Sequence, residues 1–300
     1  MEIREVRAFT AVAEQGSLSG AARGLHVSQS ALSQTILSLE RQLGVRLLVR
    51  HSTGVTLTEA GMILLREGRA LLAQHDRALA AVTNQAAASV GPLRVSVPLE
   101  LPADLLPVAL AELRETFPQA RPEISHASTA AQLAALRTGE LDVALVRECP
   151  AGPDYDAVLA VEEAMGVFLA GGRASELAGP AGVRLHQLGS LDWVAFPRAE
   201  ASAWYDEVAA ILRTHGITVP EQPPNTEDHP LIAEVKFAAV VTGRAFALAP
   251  PRLSAPLPEG VTWCPLIGAP IVRRTWAVWP ASSRRRDVAT LVAALDITTR

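Results

Sequence analysis

Between Arg7 and Leu43 the chain fits three helical signals around two very short breaks, and this crowding restricts its fold more than any other stretch does. The run FTAVAEQGS ends a first helix at Gly16, since glycine takes the left-handed backbone that closes a helix without strain. Ser19 is placed to cap a second helix, GAARGL, whose Ala21 and Ala22 are small enough to let another helix cross closely. Gly20 and Gly24 each weaken that helix by roughly 1 kcal/mol relative to alanine, so tertiary packing has to hold it. A short turn, His26-Val27-Ser28, follows, and Ser28 is set to cap a third helix by accepting from an amide near Ala31. In that helix Leu32, Ile36, Leu39 and Leu43 stand on one face at i, i+4, i+7 and i+11. The opposite face of its first turns carries Gln29, Ser30, Ser33 and Gln34, all uncharged and able to hydrogen-bond.

A helix, a tight turn and a second helix with polar side chains at its exposed start fit the major groove of duplex DNA. Glutamine can pair bidentately with adenine, and serine serves donor or acceptor edges. The strand pair RLLVRHSTGVTLT comes next, turning at Ser52-Thr53-Gly54 with Arg50 and His51 near its tip, a wing suited to phosphate or minor-groove contact. The competing reading is an αα-hairpin with a merely solvated polar face, because single exposed Gln and Ser residues are usually just surface. Helix, turn, helix and basic-tipped wing in this order favour the DNA reader.

The remaining chain bounds the alternatives. A length of 300 residues suits two or three packed units, and the formal net charge of −4 means that any nucleic-acid contact has to come from a local surface. Lys236 is the only lysine, which reads as a compositional habit without functional weight. Cys149 and Cys264 form no CxxC pair, so neither a disulfide scaffold nor a cysteine zinc site is expected. The start MEIREVRAF lacks the apolar stretch of a signal peptide, and no apolar run approaches the ~18 residues of a membrane span. A cytoplasmic protein is expected.

Residues 58–90 read as one long helix, capped by Thr58, in which Leu65, Leu72 and Leu79 recur every seven residues beside Leu64, Leu71 and Ala78. Heptad spacing makes a seam that asks for a partner helix. At Gly91-Pro92 the grammar changes. LRVSVP, ADLLPVALAELRETF, ARPEISHA, TAAQLAALRTG and LDVALV alternate strand and helix, and a second such series runs to the end, the rhythm of a doubly wound α/β domain.

The segment FTAVAEQGSLSGAARGLHVSQSALSQTILSLERQLGVRLLVRHSTGVTLTEAG resembles the winged helix-turn-helix of LysR-type transcriptional regulators. GELDVAL, FPR and GRAFALAPPRL fall where that family's effector-binding domain has comparable segments. The resemblance implies an α/β protein overall. It would comprise an all-α winged helix-turn-helix at 1–57, a dimerising linker helix at 58–90, and a two-lobed doubly wound effector domain, similar to periplasmic binding proteins, at 91–300. One lobe would take 91–160 and 268–300, the other 161–267. The implied partners are double-stranded DNA bearing an interrupted inverted repeat, a small-molecule effector, a second copy in a dimer that associates to a tetramer, and RNA polymerase. No membrane contact is implied.

Carried onto this chain, the DNA-contacting set is Ser28, Gln29, Ser30, Ser33, Gln34, Arg50, His51 and Thr53. Ser30 stands where the family usually has proline, Gln34 where arginine is frequent, and Leu37 where a basic residue is common. The reading helix therefore carries no cation before Arg41. Folds of the implied kind bind ligands at the carboxyl ends of strands, beside helix N-termini. That places Leu99, Glu100, Ser128, Thr129, Arg147, Phe196, Pro197, Arg198 and Ser202 at the effector mouth, with Asp142 structural; Ser128 and Thr129 fit simple helix caps equally well, and Arg198 fits a charge on the lobe surface as well as a pocket cation. Glu100 there would repel a carboxylate unless an arginine compensates, which leaves amine-bearing, zwitterionic and neutral effectors open. No cofactor, metal site or catalytic motif (HExxH, GxSxG, P-loop, GxGxxG) is found, so an enzyme is not expected. The alternative is a cytoplasmic small-molecule-binding protein of the periplasmic-binding-protein type without regulatory activity.

Overall fold

The computed structural model describes residues 1–51, 54–83, 91–219, 231–251 and 256–296. It separates into two units, one centred on Met1–Ser89 and the other on Val90–Leu136 with Leu141–Arg300.

In the first unit, helix α1 (Ile3–Gln15) ends at Gly16 with φ 59°, in the left-handed region. Helix α2 (Leu18–Gly24) starts earlier than its sequence suggested. Ser17, not Ser19, caps it, accepting from the Gly20 amide at 3.3 Å, because Leu18 is already turned into the core. Ser19 bonds the Ser17 hydroxyl instead. After the turn, Ser28 caps helix α3 (Gln29–Leu43), accepting from Ala31 N at 3.2 Å. Leu32, Ile36 and Leu39 are buried against Phe9, Val12, Ala21 and Ala22, whereas Leu43 at the helix end is 41% exposed. Each large buried side chain here stabilises by about 1.5–3 kcal/mol, which offsets the poor helix propensity of α2.

Strands β1 (Leu48–His51) and β2 (Gly54–Leu57) pair antiparallel as the wing. Its place is fixed at two points. Glu40 of α3 accepts from the amides of Leu47 and Leu48 at 2.8 and 3.2 Å. Gly54 lies so close to Gly16 that a Cβ would sit 2.5 Å from that residue's carbonyl oxygen. Helix α4 (Glu59–Thr83) is capped by Thr58, which accepts from Gly61 N at 3.0 Å. Leu64 and Leu65 of the heptad series pack inward on this core, while Met62, Ile63, Leu71 and Leu79 stay exposed. The linker expected at 58–90 lies outside the described residues beyond Thr83.

A Cβ at Gly61 would meet the Leu47 carbonyl oxygen at 2.2 Å, an approach only glycine allows. Gly61→Ala should push α4 off the wing and destabilise the first unit by about 1–3 kcal/mol. Urea unfolding followed by circular dichroism checks this, and an unchanged midpoint would show that the contact is not needed.

In the second unit, strand β3 (Leu93–Val97), helix α5 (Leu105–Thr116), strand β4 (Pro122–His126), helix α6 (Thr129–Thr138) and strand β5 (Val143–Val146) form the parallel part of a sheet. Strand β6 (Tyr155–Ala164) and the late strand at Val272–Pro280 complete it, the latter antiparallel to both neighbours. Every residue of β5 is buried, as a strand covered on both faces requires.

The smaller lobe contains strand β7 (Gly166–Ala170), helix α7 (Gly171–Leu177), strand β8 (Asp192–Trp193), helix α8 (Ser202–Thr214), helix α9 (Ala233–Val240), strand β9 (Ala245–Ala249) and strand β10 (Val261–Pro265). The chain closes with β11 (Val272–Pro280) and helix α10 (Arg286–Leu295). Sheet orders are β4-β3-β5-β11-β6 and β10-β7-β9-β8. Strand β6 carries the larger lobe's sheet to Ala164, past the crossover expected after residue 160, since each residue from Val161 onward pairs with β11. The two crossings lie side by side, Met165 N donating to Ile271 O at 2.9 Å.

Candidate functional site

In the first unit the side chains Ser28, Gln29, Ser30 and Gln34 are all exposed, and Ser33 is half-buried one turn above Gln29. The buried Leu32, Ile36 and Leu39 lie behind them, so the polar start of α3 rests on a rigid base. Ser30 is not an independent probe, since its hydroxyl meets that of Ser28 at 3.1 Å. Arg41, the first cation of α3, turns its Nε onto the Leu37 carbonyl at 3.2 Å in the helix's last turn. In the wing, His51 Nε2 lies 2.9 Å from Thr56 Oγ1 across the ladder. Arg50 lies in β1 opposite Val55. Thr53 lies outside the described residues.

In the second unit the expected mouth residues divide. Arg147, buried at the end of β5, gathers three of them, together with Thr275 of β11. Its amide donates to Thr129 Oγ1 at 3.3 Å, and its guanidinium donates to the Leu99 carbonyl at 2.5 Å, to the Glu100 carbonyl at 3.2 Å and to Thr275 Oγ1. Thr129 is 1% exposed, so it ties α6 to β5 and is not open to an incoming molecule. Ser128 accepts from Ala131 N at 3.3 Å as a helix cap. Phe196 meets Trp193 and Tyr205 edge-on with ring centroids 6.1 and 5.5 Å away, beside the buried Pro197. Arg198 is no pocket cation. It forks onto Asp206 at 2.8 and 2.5 Å with both side chains 54% exposed, and Ser202 is likewise at the surface. Asp142 is structural, accepting from Arg94 N at 2.8 Å and pairing with Arg285 at 3.1 Å.

Three charged residues absent from the sequence expectation complete the centre. Glu100, in the loop after β3, pairs through Oε1 with Lys236 of α9 and through Oε2 with Arg273 of β11 at 3.0 Å. Arg273 also binds Glu163, its direct partner across the β6–β11 ladder, at 2.9 Å. Lys236 additionally donates to the Leu248 carbonyl at 2.9 Å. Glu100 and Lys236 thus join the two lobes, as does Glu148, whose carboxylate accepts from Ala203 N of α8 at 3.2 Å.

Burial raises the Glu100 carboxyl, but Lys236 and Arg273 outweigh it and hold the group below its usual range. Burial pushes the Lys236 ammonium down, against the pull of Glu100. Burial and the neighbouring Arg273 also loosen the Arg147 proton, although a guanidinium keeps its charge in proteins. The repulsion expected from Glu100 is therefore absent, because two cations already neutralise it. Among the described residues no group of three or more His, Cys, Asp or Glu side chains could hold a metal ion, and no helix is long and apolar enough to cross a membrane.

Comparison with known proteins agrees with both halves. Residues 3–62 match the family model of bacterial regulatory helix-turn-helix proteins of the lysR family, and residues 86–297 match the LysR substrate binding domain. The HTH-type transcriptional regulator BudR of Raoultella terrigena is 31% identical over 293 residues, 96% of this chain and 98% of that protein. The regulator ClcR of Pseudomonas putida is 33% identical over 215 residues, 71% of this chain and 72% of its own length. The crystal structure of full-length CbnR complexed with its target DNA superposes with a TM-score of 0.69 at 24% identity, covering 98% of this chain and 99% of that one. These relatives are regulators, which removes the reading of a binding protein without regulatory activity.

Proposed function

The chain belongs to the LysR family of bacterial transcriptional regulators, and we propose that it reads its operator through the start of α3, with Gln29, Ser33 and Gln34 at base edges. Ser28 and Ser30 then address the backbone at the helix mouth, and Arg50, His51 and Thr53 serve the flanking groove from the wing. The observation that carries this reading is the uncharged, exposed row on α3 set directly over a buried aliphatic base.

The protein acts in the cytoplasm on an interrupted inverted repeat, as a dimer through α4 that doubles to a tetramer, and in contact with RNA polymerase. A small effector enters between the two lobes of the second unit near Leu99, Glu100, Ser128, Arg147, Phe196 and Pro197, with Thr129 behind them holding α6 to β5. Its binding shifts the lobes and so the spacing or bend imposed on DNA.

Selection of genomic fragments on the intact protein tests the reading. One palindromic site should be enriched, and recovery of random fragments alone would overturn it. Because α3 offers no cation before Arg41, the salt dependence of operator binding should be shallow. Between 50 and 200 mM salt the affinity should fall by less than about 10³-fold, the lower bound for a protein neutralising six or more phosphates. A steeper loss would mean that phosphates carry what is here assigned to uncharged groups.

A further inference from the structure

The loop after β3 places a carboxylate where two cations converge, at some cost to its own backbone. Glu100 adopts φ 55°, a left-handed conformation that glycine holds freely and glutamate does not. Its two oxygens are shared between the two lobes of the second unit, Oε1 to Lys236 of the smaller lobe and Oε2 to Arg273 of the larger. Beside it lies a cavity of ≈ 30 Å³, room for about two waters, walled by Met165, Trp193, Phe196, Trp204 and Leu248. Trp193 is 5% exposed and its indole N–H has no hydrogen-bond partner among the described residues. Arg147, Lys236 and Arg273 against Glu100 and Glu163 leave this group one positive charge in excess. Without Glu100 the excess would be two.

We infer that Glu100 is a built-in ligand, whose carboxylate fills an acid-binding site made by Lys236 and Arg273 and thereby determines specificity by shutting out small free monocarboxylic acids. The inference rests on the reading of this unit as effector-binding. A tethered group competes at an effective concentration of about a millimolar or more, so a free acid at lower concentration cannot displace it. Removal of the side chain leaves two desolvated donors facing one another across the lobes, and a free carboxylate restores both bonds.

Lys236 is the only lysine, so full-length protein labelled with ¹⁵N-lysine gives a single side-chain amine signal. Sodium acetate is titrated at constant ionic strength, with acetamide as the uncharged counterpart. In the wild type the Lys236 signal should stay in place. In Glu100→Gly, which also relieves the positive φ, it should move and saturate with a Kd at least about tenfold lower than any wild-type response. Acetate, unlike acetamide, should raise the melting temperature of that variant, and adding Lys236→Met should abolish the rise. Should Glu100→Gly not fold, Glu100→Gln keeps the shape of the side chain and should still admit acetate, more weakly. Equal acetate affinity in wild type and variant, or folded variants with no response, would overturn the inference. Operator binding by the same preparations is measured separately, so loss of the DNA reading and loss of this one are told apart.

Discussion

Lys236→Met should destabilise the effector-binding unit by about 3 kcal/mol or more, seen as a lower urea midpoint for the unfolding of that unit. The methionine keeps most of the aliphatic stem, so the lost contribution is charge and hydrogen bonding, not volume. What remains is a Glu100 carboxylate facing one cation where it had two, in a place that water reaches poorly. Breaking one side of a buried pair costs more than never having built it, because the orphaned charge keeps its desolvation penalty. The companion Lys236→Met with Glu100→Gln should therefore be more stable than the sum of the two single changes, and additivity within about 0.5 kcal/mol would show that the pair is not coupled.

Acid adds a second reading of the same variant. Folded Glu100 releases its proton more readily than the unfolded chain does, so its contribution is complete above the ordinary carboxyl range and is lost as pH falls through the lower folded value. Without Lys236 one of the attractions holding Glu100 down disappears while burial still pushes it up. The variant should consequently lose less stability than the wild type across the acid range.

What was legible in the sequence had short reach. Gly16 at the end of α1, Ser28 over Ala31 and Thr58 over Gly61 act within three residues or so, and residue type alone assigns them. Ser17 took the cap expected of Ser19 because burial of Leu18 set the helix start, a tertiary effect on a local choice. The centre of the second unit was out of reach for the same reason on a larger scale. Arg273 meets Glu100 across 173 positions and Lys236 meets it across 136, and no periodicity or motif marks either one. One sign was present, the only lysine of the chain in a largely apolar helical run, AEVKFAAV, where a charge has to be partnered to be buried. Arg198 was open between a pocket cation and a surface charge, and the helix that follows it decides for the surface. It sits after a strand and before a helix, as a pocket residue would, yet Asp206 eight residues on holds it at the surface.

Leu71→Asp should separate the DNA-reading units from each other while leaving each one folded. The heptad series divides by burial along α4: Leu64 and Leu65 close the first unit's own core, while Leu71 is 39% exposed further along the helix. A carboxylate there costs the folded monomer little, since the position already meets water, but it cannot be buried against a partner helix without a large desolvation penalty. Sedimentation should show a shift to smaller species, with circular dichroism unchanged. Operator affinity should fall by about 10²–10⁴-fold, the gain that linking two weak contacts provides over one. The loss should be far smaller on a single half-site, where the wild type also binds through one unit. An undiminished dimer would place the seam elsewhere, whereas a dimer lost with full operator affinity would mean that one copy of α3 suffices to read the site.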